Sequence, residues 1–457
     1  MNFVTKEKDK KYAMDMCEGP ILKKMLLFAL PLMASSLLQL LFNAADIIVV
    51  GRFAGDNSLA AVGSTTSIIN LLVNLFMGLS VGANVLVARF FGGKRENDLS
   101  ATVHTAMTIS IISGIVLTII GISGARVILT LMQTPENVLG LAVVYLRTYF
   151  LGMTAMMIYN FGAAILRAVG DTKRPLYFLM IAGVVNVSFN LLFVIVFKWG
   201  VFGVGLATTI SQVVSATFVV RCLLKEQSGI QLQLKKLRIH KDILMKILQI
   251  GLPAGFQGIL FSLSNVFIQS SVNSFGATVV AGNSAAANIE GFIYVSTNAF
   301  HQAAVSFTSQ NYGAKKYDRI NRIMFVAQGC TIVMGTIFGV GAVLMGPVLL
   351  TLYTTSAAVV EAGMLRLRMI GATYALCGVM DTMVGSLRGM GYSVVPMIFS
   401  LLGACATRIL WLATVFQIDA FHTIETVYII YPISWIITSI AHIITFIIVR
   451  KKIEKRK

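Results

Sequence analysis

Apolar residues in this chain run in long stretches broken by short polar punctuation. They do not alternate as in strands, nor mark one face of an otherwise polar helix. Twelve stretches can cross the ~30 Å hydrocarbon core of a bilayer as helices. They lie near residues 25–50, 59–87, 102–122, 141–164, 176–197, 201–222, 244–273, 278–305, 323–346, 365–385, 395–417 and 426–449. Gly and Ser recur within several of them, as they do where helices pack closely in lipid. The polar connections are short except for residues 223–243, which hold Lys225, Glu226, Lys235, Lys236, Arg238 and Lys241. The pattern predicts an all-α membrane protein of twelve transmembrane helices in two pseudo-symmetric six-helix lobes. The expected domains are a tail at 1–24, a first lobe at 25–222, a linker at 223–243, a second lobe at 244–449 and a basic tail at 450–457.

The halves resemble each other. Leu166-Arg167 with Gly170 and Pro175 recurs as Leu387-Arg388 with Gly391 and Pro396. Gly92 and Lys94 recur at the same offset as Gly313 and Lys315, and Leu30-Pro31 recurs one residue out of register as Leu252-Pro253. A nearly constant offset over most of the chain indicates a duplication. Each half has an even number of spans, so both enter the bilayer from the same side. The repeat is then parallel, about an axis along the membrane normal.

Composition agrees. The chain has 457 residues, 56% hydrophobic and only 12% charged, against about 25% charged in a soluble domain. The net charge of +18 would suggest nucleic acid in a soluble protein, but its distribution excludes that reading. Most Lys and Arg fall at the termini and on alternate connections, including Arg89, Lys94, Arg95, Lys173, Arg174 and Lys315–Arg322. The other side carries mainly Arg52, Arg126, Lys198, Arg366 and Arg368. The positive-inside rule therefore expects a multi-pass protein of the cytoplasmic (plasma) membrane with both termini in the cytoplasm. Anionic lipid headgroups are expected to attract the basic face. The first span is expected to target the chain and stay, with no cleaved signal peptide.

No chemistry-bearing motif points to an enzyme. The five cysteines form no CxxC pair, the histidines show no metal spacing, and GxxxxGK[ST] does not occur. No cofactor is expected, and the energy for any transport would come from an ion gradient.

Ionisable groups within spans are costly, about 2.5–3.5 kcal/mol at mid-membrane, so each is a candidate for function. They are Asp46, Arg147, Glu290, Asp381 and Arg408. Asn186 and Asn190 lie one turn apart on one helix face. Counting ~1.5 Å per residue from the nearest connections, Asp46, Asn190 and Thr208 share a depth of ~9–12 Å below the outer surface. A carboxylate, two amides and a hydroxyl at one depth suit Na⁺ or a cycling proton; the plainer alternative is that the two Asn satisfy a buried Asp. Asp381 is the repeat mate of Asn160, and its plain reading is a pair with Arg388. Glu290 and Arg408 are read either as a mutual salt bridge or with Glu290 facing a cleft to hold a cation. Met153, Met156, Met157 and Met180 make an adaptable apolar surface or simply fill the bundle. Asn43, Asn160, Met157 and Asn265 are the expected cavity-lining residues.

Taken together, these residues resemble the MATE family, the multidrug and toxic compound extrusion transporters. The likeness is carried by Leu30-Pro31, Asp46, Ala88-Arg89-Phe90-Phe91-Gly92 and Leu166-Arg167-Ala168-Val169-Gly170 with Asp171 and Pro175. Asn186, Asn190, Gly205-Leu206-Ala207-Thr208 and Asp381 with Leu387-Arg388-Gly389-Met390-Gly391 extend it over roughly residues 20–450. The resemblance implies a two-lobe antiporter that exports small amphipathic, often cationic compounds. It further implies that Asp46, Asn186, Asn190 and Thr208 match the family's first-lobe cation site, and Asp381 a carboxylate of the other lobe. Some branches pair that carboxylate with a Glu in the seventh span; here Gly258-Ile259-Leu260-Phe261 offers no acid, and Glu290 is the candidate substitute. The expected function is H⁺- or Na⁺-coupled export, by a monomer embedded in the bilayer that binds no nucleic acid. The rival is a flippase for lipid-linked precursors, which would need a more basic cavity.

Overall fold

The structure is a computed structural model that describes residues 13–455, and among these residues it contains helices and no strand. Twelve long helical segments follow one another, labelled here in chain order. They are α1 (Ile21–Phe53), α2 (Asp56–Gly92) and α3 (Glu96–Leu131). The bent pair Glu136–Leu151 and Met153–Ala168 forms α4, with a 45° break at Gly152. Next come α5 (Lys173–Val196), α6 (Gly200–Lys225), α7 (Lys241–Asn273), α8 (Ala277–Gly313) and α9 (Tyr317–Leu344). The series ends with α10 (Ala357–Gly389), α11 (Val394–Gln417) and α12 (Ile424–Glu454). Ten of the expected apolar stretches lie within one of these elements, and the other two, 176–197 and 323–346, run one and two residues past the ends of α5 and α9.

Ten of these helices are long and apolar enough to span a membrane, and α4 makes eleven when its two parts count as one span. The remaining one, α8, is a 37-residue helix whose polar side chains turn inward. Asn283, Glu290, Thr297, Ser306, Gln310 and Asn311 are all buried. A span shielded by neighbouring helices can be polar where a lipid-facing one cannot.

The duplication is visible in backbone geometry as well as in residues. Gly55 and Gly276 sit at φ 86° and 89°, Lys94 and Lys315 at 54° and 58°, Gly170 and Gly391 at 93° and 95°. Each pair closes equivalent turns of the two halves. At Gly170 the left-handed backbone favours glycine, and a Cβ would also meet the Met14 backbone oxygen at 2.6 Å.

Contacts divide the chain into two units. One comprises the chain up to Asp15 and Ala34–Gly255; the other comprises Met16–Met33 and Phe256–Lys457. The division falls inside α1 and inside α7, each time two residues past a proline within the helix, Pro31 and Pro253. A proline there removes one ladder hydrogen bond and favours a bend. Within the first unit, the early part of α7 meets α2 through facing glycines. A Cβ on Gly78 would lie 2.6 Å from the Gly255 Cα, and one on Gly251 2.6 Å from the Leu79 Cα. Gly78 and Gly82 on α2 thus face Gly251 and Gly255 on α7, two small-xxx-small faces that let backbones touch. Within the second unit, the early part of α1 packs on α8, where the Phe28 and Phe307 rings meet edge to face at 5.7 Å.

The linker is more ordered than its charge suggests. Between α6 and α7 it folds onto α3, where the Gln233 amide donates to His104 Nε2 at 3.0 Å and the His240 amide to Thr105 Oγ1 at 3.2 Å. Burial pushes the Asp171 carboxyl up, while the neighbouring Arg174 draws it back. Arg174 holds both Asp171 and the linker's Glu226. The expected basic tail is helical through Glu454, with Arg450 buried. Lys6, Lys8, Lys10, Lys11, Arg456 and Lys457 lie outside the described residues.

Candidate functional site

The first unit brings together all four residues predicted for its cation site. Asp46 comes from α1, Asn186 and Asn190 from α5, and Thr208 from α6. Asn190 Nδ2 donates to the Asp46 carboxylate, and Asn186 lies beside the same carboxylate. Asn186 Nδ2 in turn reaches Thr208 Oγ1 at 3.4 Å, while that hydroxyl donates to the Val204 carbonyl at 3.0 Å. The two Asn are buried and Asp46 is half-buried.

Both Asn side chains spend their N–H groups on neighbours and leave their carbonyl oxygens, Asn186 Oδ1 and Asn190 Oδ1, buried with no donor. A buried acceptor without a partner is costly. Two of them next to a carboxylate form an oxygen-rich, electronegative locus. That is the chemistry a hard cation requires. If the amides served only to satisfy Asp46, their oxygens would be expected to find donors of their own.

Two residues of this neighbourhood escape prediction. Tyr145 and Tyr149 on α4 both lie within electrostatic range of Asp46. They are one turn apart, so a tyrosine pair on one face of an apolar helix was the available signal. The π-helical turn Leu192–Val196 begins two residues after Asn190. Such widened turns are frequent at functional sites.

The second unit corrects several expectations. Glu290 does not pair with Arg408. Its two carboxylate oxygens accept from Arg366 Nε at 2.9 Å and Arg366 Nη2 at 2.6 Å, and Arg366 Nη1 donates to Asn283 Oδ1 at 2.6 Å. Arg366, expected on the outer face, is 7% exposed. The bidentate fork engages both carboxylate oxygens of Glu290. Arg408 instead stacks on Tyr431 at 4.4 Å and donates to Ser434 Oγ at 3.0 Å. Arg366 lies 5.6 Å from the same Tyr431 ring, so two guanidiniums share one aromatic face set.

Asp381 sits half-buried on α10, in electrostatic range of Arg388. Among the described residues there is no ion pair between them within 4.0 Å; Arg388 Nη2 donates to Gln257 Oε1 at 2.8 Å instead. The Asp381 backbone oxygen meets His301 Nδ1 at 2.6 Å. Arg388 is buried on α10 rather than in a surface connection.

Arg147 lies in the first part of α4, as expected. It is exposed on its helix and donates to the Ile122 carbonyl at 3.0 Å. Of the expected cavity residues, Met157 is fully enclosed at 0% exposure and belongs to the packing of the first unit. Asn160 Nδ2 bonds back to the Met156 carbonyl at 2.9 Å, and Asn43 and Asn265 are exposed on their units.

A helical membrane chain with a duplicated half, spans that contain proline and a polar cluster carried on its spans has the build of a secondary transporter. The MatE family profile matches residues 31–192 and again residues 253–412. The chain therefore belongs to the MatE family of multi-pass membrane transporters, and the double match is the internal repeat. Among its relatives are the probable multidrug resistance protein YoeA of Bacillus subtilis (strain 168) and the multidrug export protein MepA of Staphylococcus aureus (strain NCTC 8325 / PS 47). The former is 29% identical over 390 residues, 83% of each chain. The latter is 22% identical over 378 residues, 82% of this chain and 83% of the relative. An outward-facing multidrug resistance MATE transporter of the MOP superfamily shares the fold with a TM-score of 0.91 at 22% identity over 99% of both chains.

Proposed function

We propose that the protein is a cation-coupled antiporter that exports small amphipathic, often cationic molecules across the cytoplasmic membrane, working as a monomer with both termini inside. The observation that carries the coupling half is the pair of donorless amide oxygens, Asn186 Oδ1 and Asn190 Oδ1, beside Asp46. An inward gradient of H⁺ or Na⁺ loads this cluster from outside. With Na⁺, the carboxylate and amide oxygens supply ligands; with H⁺, the carboxyl itself changes charge. Either event alters how α1 is held against α5 and favours the state that releases substrate outward. Coupling requires only that ion and substrate differ in affinity between the two states. The multidrug names of the relatives support the substrate class.

The test is ethidium movement in proteoliposomes under an imposed Na⁺ gradient, then an imposed pH gradient, for the wild type and Asp46→Asn. The expected result is movement driven by one gradient and lost in the variant, while the variant inserts and folds normally. Unchanged gradient-driven movement in Asp46→Asn would remove the first-unit cluster from the mechanism. Movement under neither gradient would redirect the substrate search to lipid-linked precursors.

A further inference from the structure

A second feature lies away from the ion cluster, in the second unit. An apolar groove of about 490 Å³ runs between α9 and α12 over a floor made by Val379 and Met383 of α10, a volume in the ~300–1,000 Å³ range of small-ligand sites. Its walls are strongly exposed apolar side chains: Phe325 is 69% exposed, Ile332 47% and Ile447 47%. At one end the groove becomes polar, closed by Asn321, Arg450, Lys451 and Glu454.

Arg450 gives this end its meaning. It is 4% exposed. Its Nε donates to Asn321 Oδ1 at 2.7 Å and its Nη2 to Glu454 Oε1 at 3.2 Å. Nη1 is buried and has no acceptor. An unpaired N–H on a buried guanidinium is costly, and a guanidinium that already holds an amide and one carboxylate still wants an anionic oxygen on its third side. Lys451 lines the same end and Lys452 and Lys455 follow it, against Glu454 as the one acid of residues 450–455. The local charge is therefore positive beside a long apolar trough on a membrane-spanning surface.

We propose that this groove binds one anionic phospholipid, its phosphate on Arg450 Nη1 and Lys451 and an acyl chain along the trough. A phosphate oxygen supplies the charged acceptor that Nη1 lacks, and the chain covers apolar side chains. Basic groups at a membrane surface each favour anionic over neutral headgroups. The site stands independently of what the protein transports.

The experiment titrates the purified full-length protein in detergent with phosphatidylglycerol or with phosphatidylcholine of the same acyl chains, read by native mass spectrometry and thermal unfolding. The wild type is expected to bind phosphatidylglycerol about tenfold tighter than phosphatidylcholine, and Arg450→Gln to lose that preference. Ile332→Trp, at an exposed position that fills the trough, is expected to weaken both lipids while the protein stays folded. If Arg450→Gln does not fold, Lys451→Gln at an exposed site reports the headgroup end, with a severalfold loss of the same preference. Equal affinity for the two lipids overturns the proposal, as does a preference untouched by the headgroup variants. Inorganic phosphate stabilising the wild type as strongly as phosphatidylglycerol marks a free-anion site and also overturns it. Ethidium binding abolished by Ile332→Trp, with no lipid preference, marks a substrate port and overturns it too.

Discussion

Asn190 donates its side-chain amide to Asp46 across 144 positions of sequence and leaves its own carbonyl oxygen without a donor. The bond fixes which way the amide points, and therefore aims the oxygen. If that oxygen and its neighbour on Asn186 are cation ligands, removing either weakens the ion more than the substrate. Asn186→Ala and Asn190→Ala are each expected to raise the ion concentration for half-maximal coupled transport about tenfold, the worth of roughly one lost ligand at ~1.4 kcal/mol. Ethidium binding measured without a gradient should change little. Equal losses in ion dependence and substrate binding would indicate a merely structural pair.

This cluster is legible in the sequence because its logic is one of depth. Helical rise converts residue number into height in the membrane, and Asp46, Asn190 and Thr208 come out level. The spans and the duplication are legible for the same reason, since lipid imposes length and composition on every helix that meets it. What depth cannot supply is azimuth. Glu290 and Arg408 are both mid-depth, yet Glu290 turns to Arg366 and Arg408 to Tyr431. Met157, expected to line a cavity, is enclosed. Helix rotation depends on neighbours that one sequence does not reveal. Tyr145 and Tyr149 are hard to read from sequence because an uncharged aromatic in an apolar span looks like packing.

The Glu290–Arg366 fork makes a separable prediction. Both groups are buried and Arg366 is also held by Asn283. Arg366→Met strands the carboxylate, and the expected loss is about 3–5 kcal/mol of stability, because an unpaired buried charge remains. The double variant Arg366→Met with Glu290→Gln removes both charges and is expected to recover most of that loss. Thermal unfolding of the three proteins in one detergent checks it. A double variant no more stable than Arg366→Met would mean the fork is not the source of the destabilisation.

Arg174 ties the linker to its own unit by gripping Asp171 on one side and Glu226 on the other. Its side chain is 20% exposed, so solvent screens the pair only in part. Arg174→Ala is expected to speed hydrogen exchange of residues 226–240 roughly fivefold, about 1 kcal/mol of local opening. Exchange within α9 should be unchanged. Unaltered exchange at 226–240 would place the linker's anchorage in the His104 and Thr105 contacts alone.

The glycine crossing of α2 and α7 depends on missing side chains, and a single methyl tests it. A Cβ on Gly78 would lie 2.6 Å from the Gly255 Cα, inside backbone that has no rotamer to yield. Gly63, on the same helix, has nothing within 4 Å of its would-be Cβ. Gly78→Ala must therefore push the helices apart, and overpacking of this kind costs about 1–3 kcal/mol. Gly63→Ala adds the same methyl to open space and, by helix propensity, is expected to be neutral or stabilising by up to ~1 kcal/mol. Thermal unfolding of both variants against the wild type separates position from composition. The assignment fails if the two substitutions shift unfolding equally, since only one of them meets a neighbour.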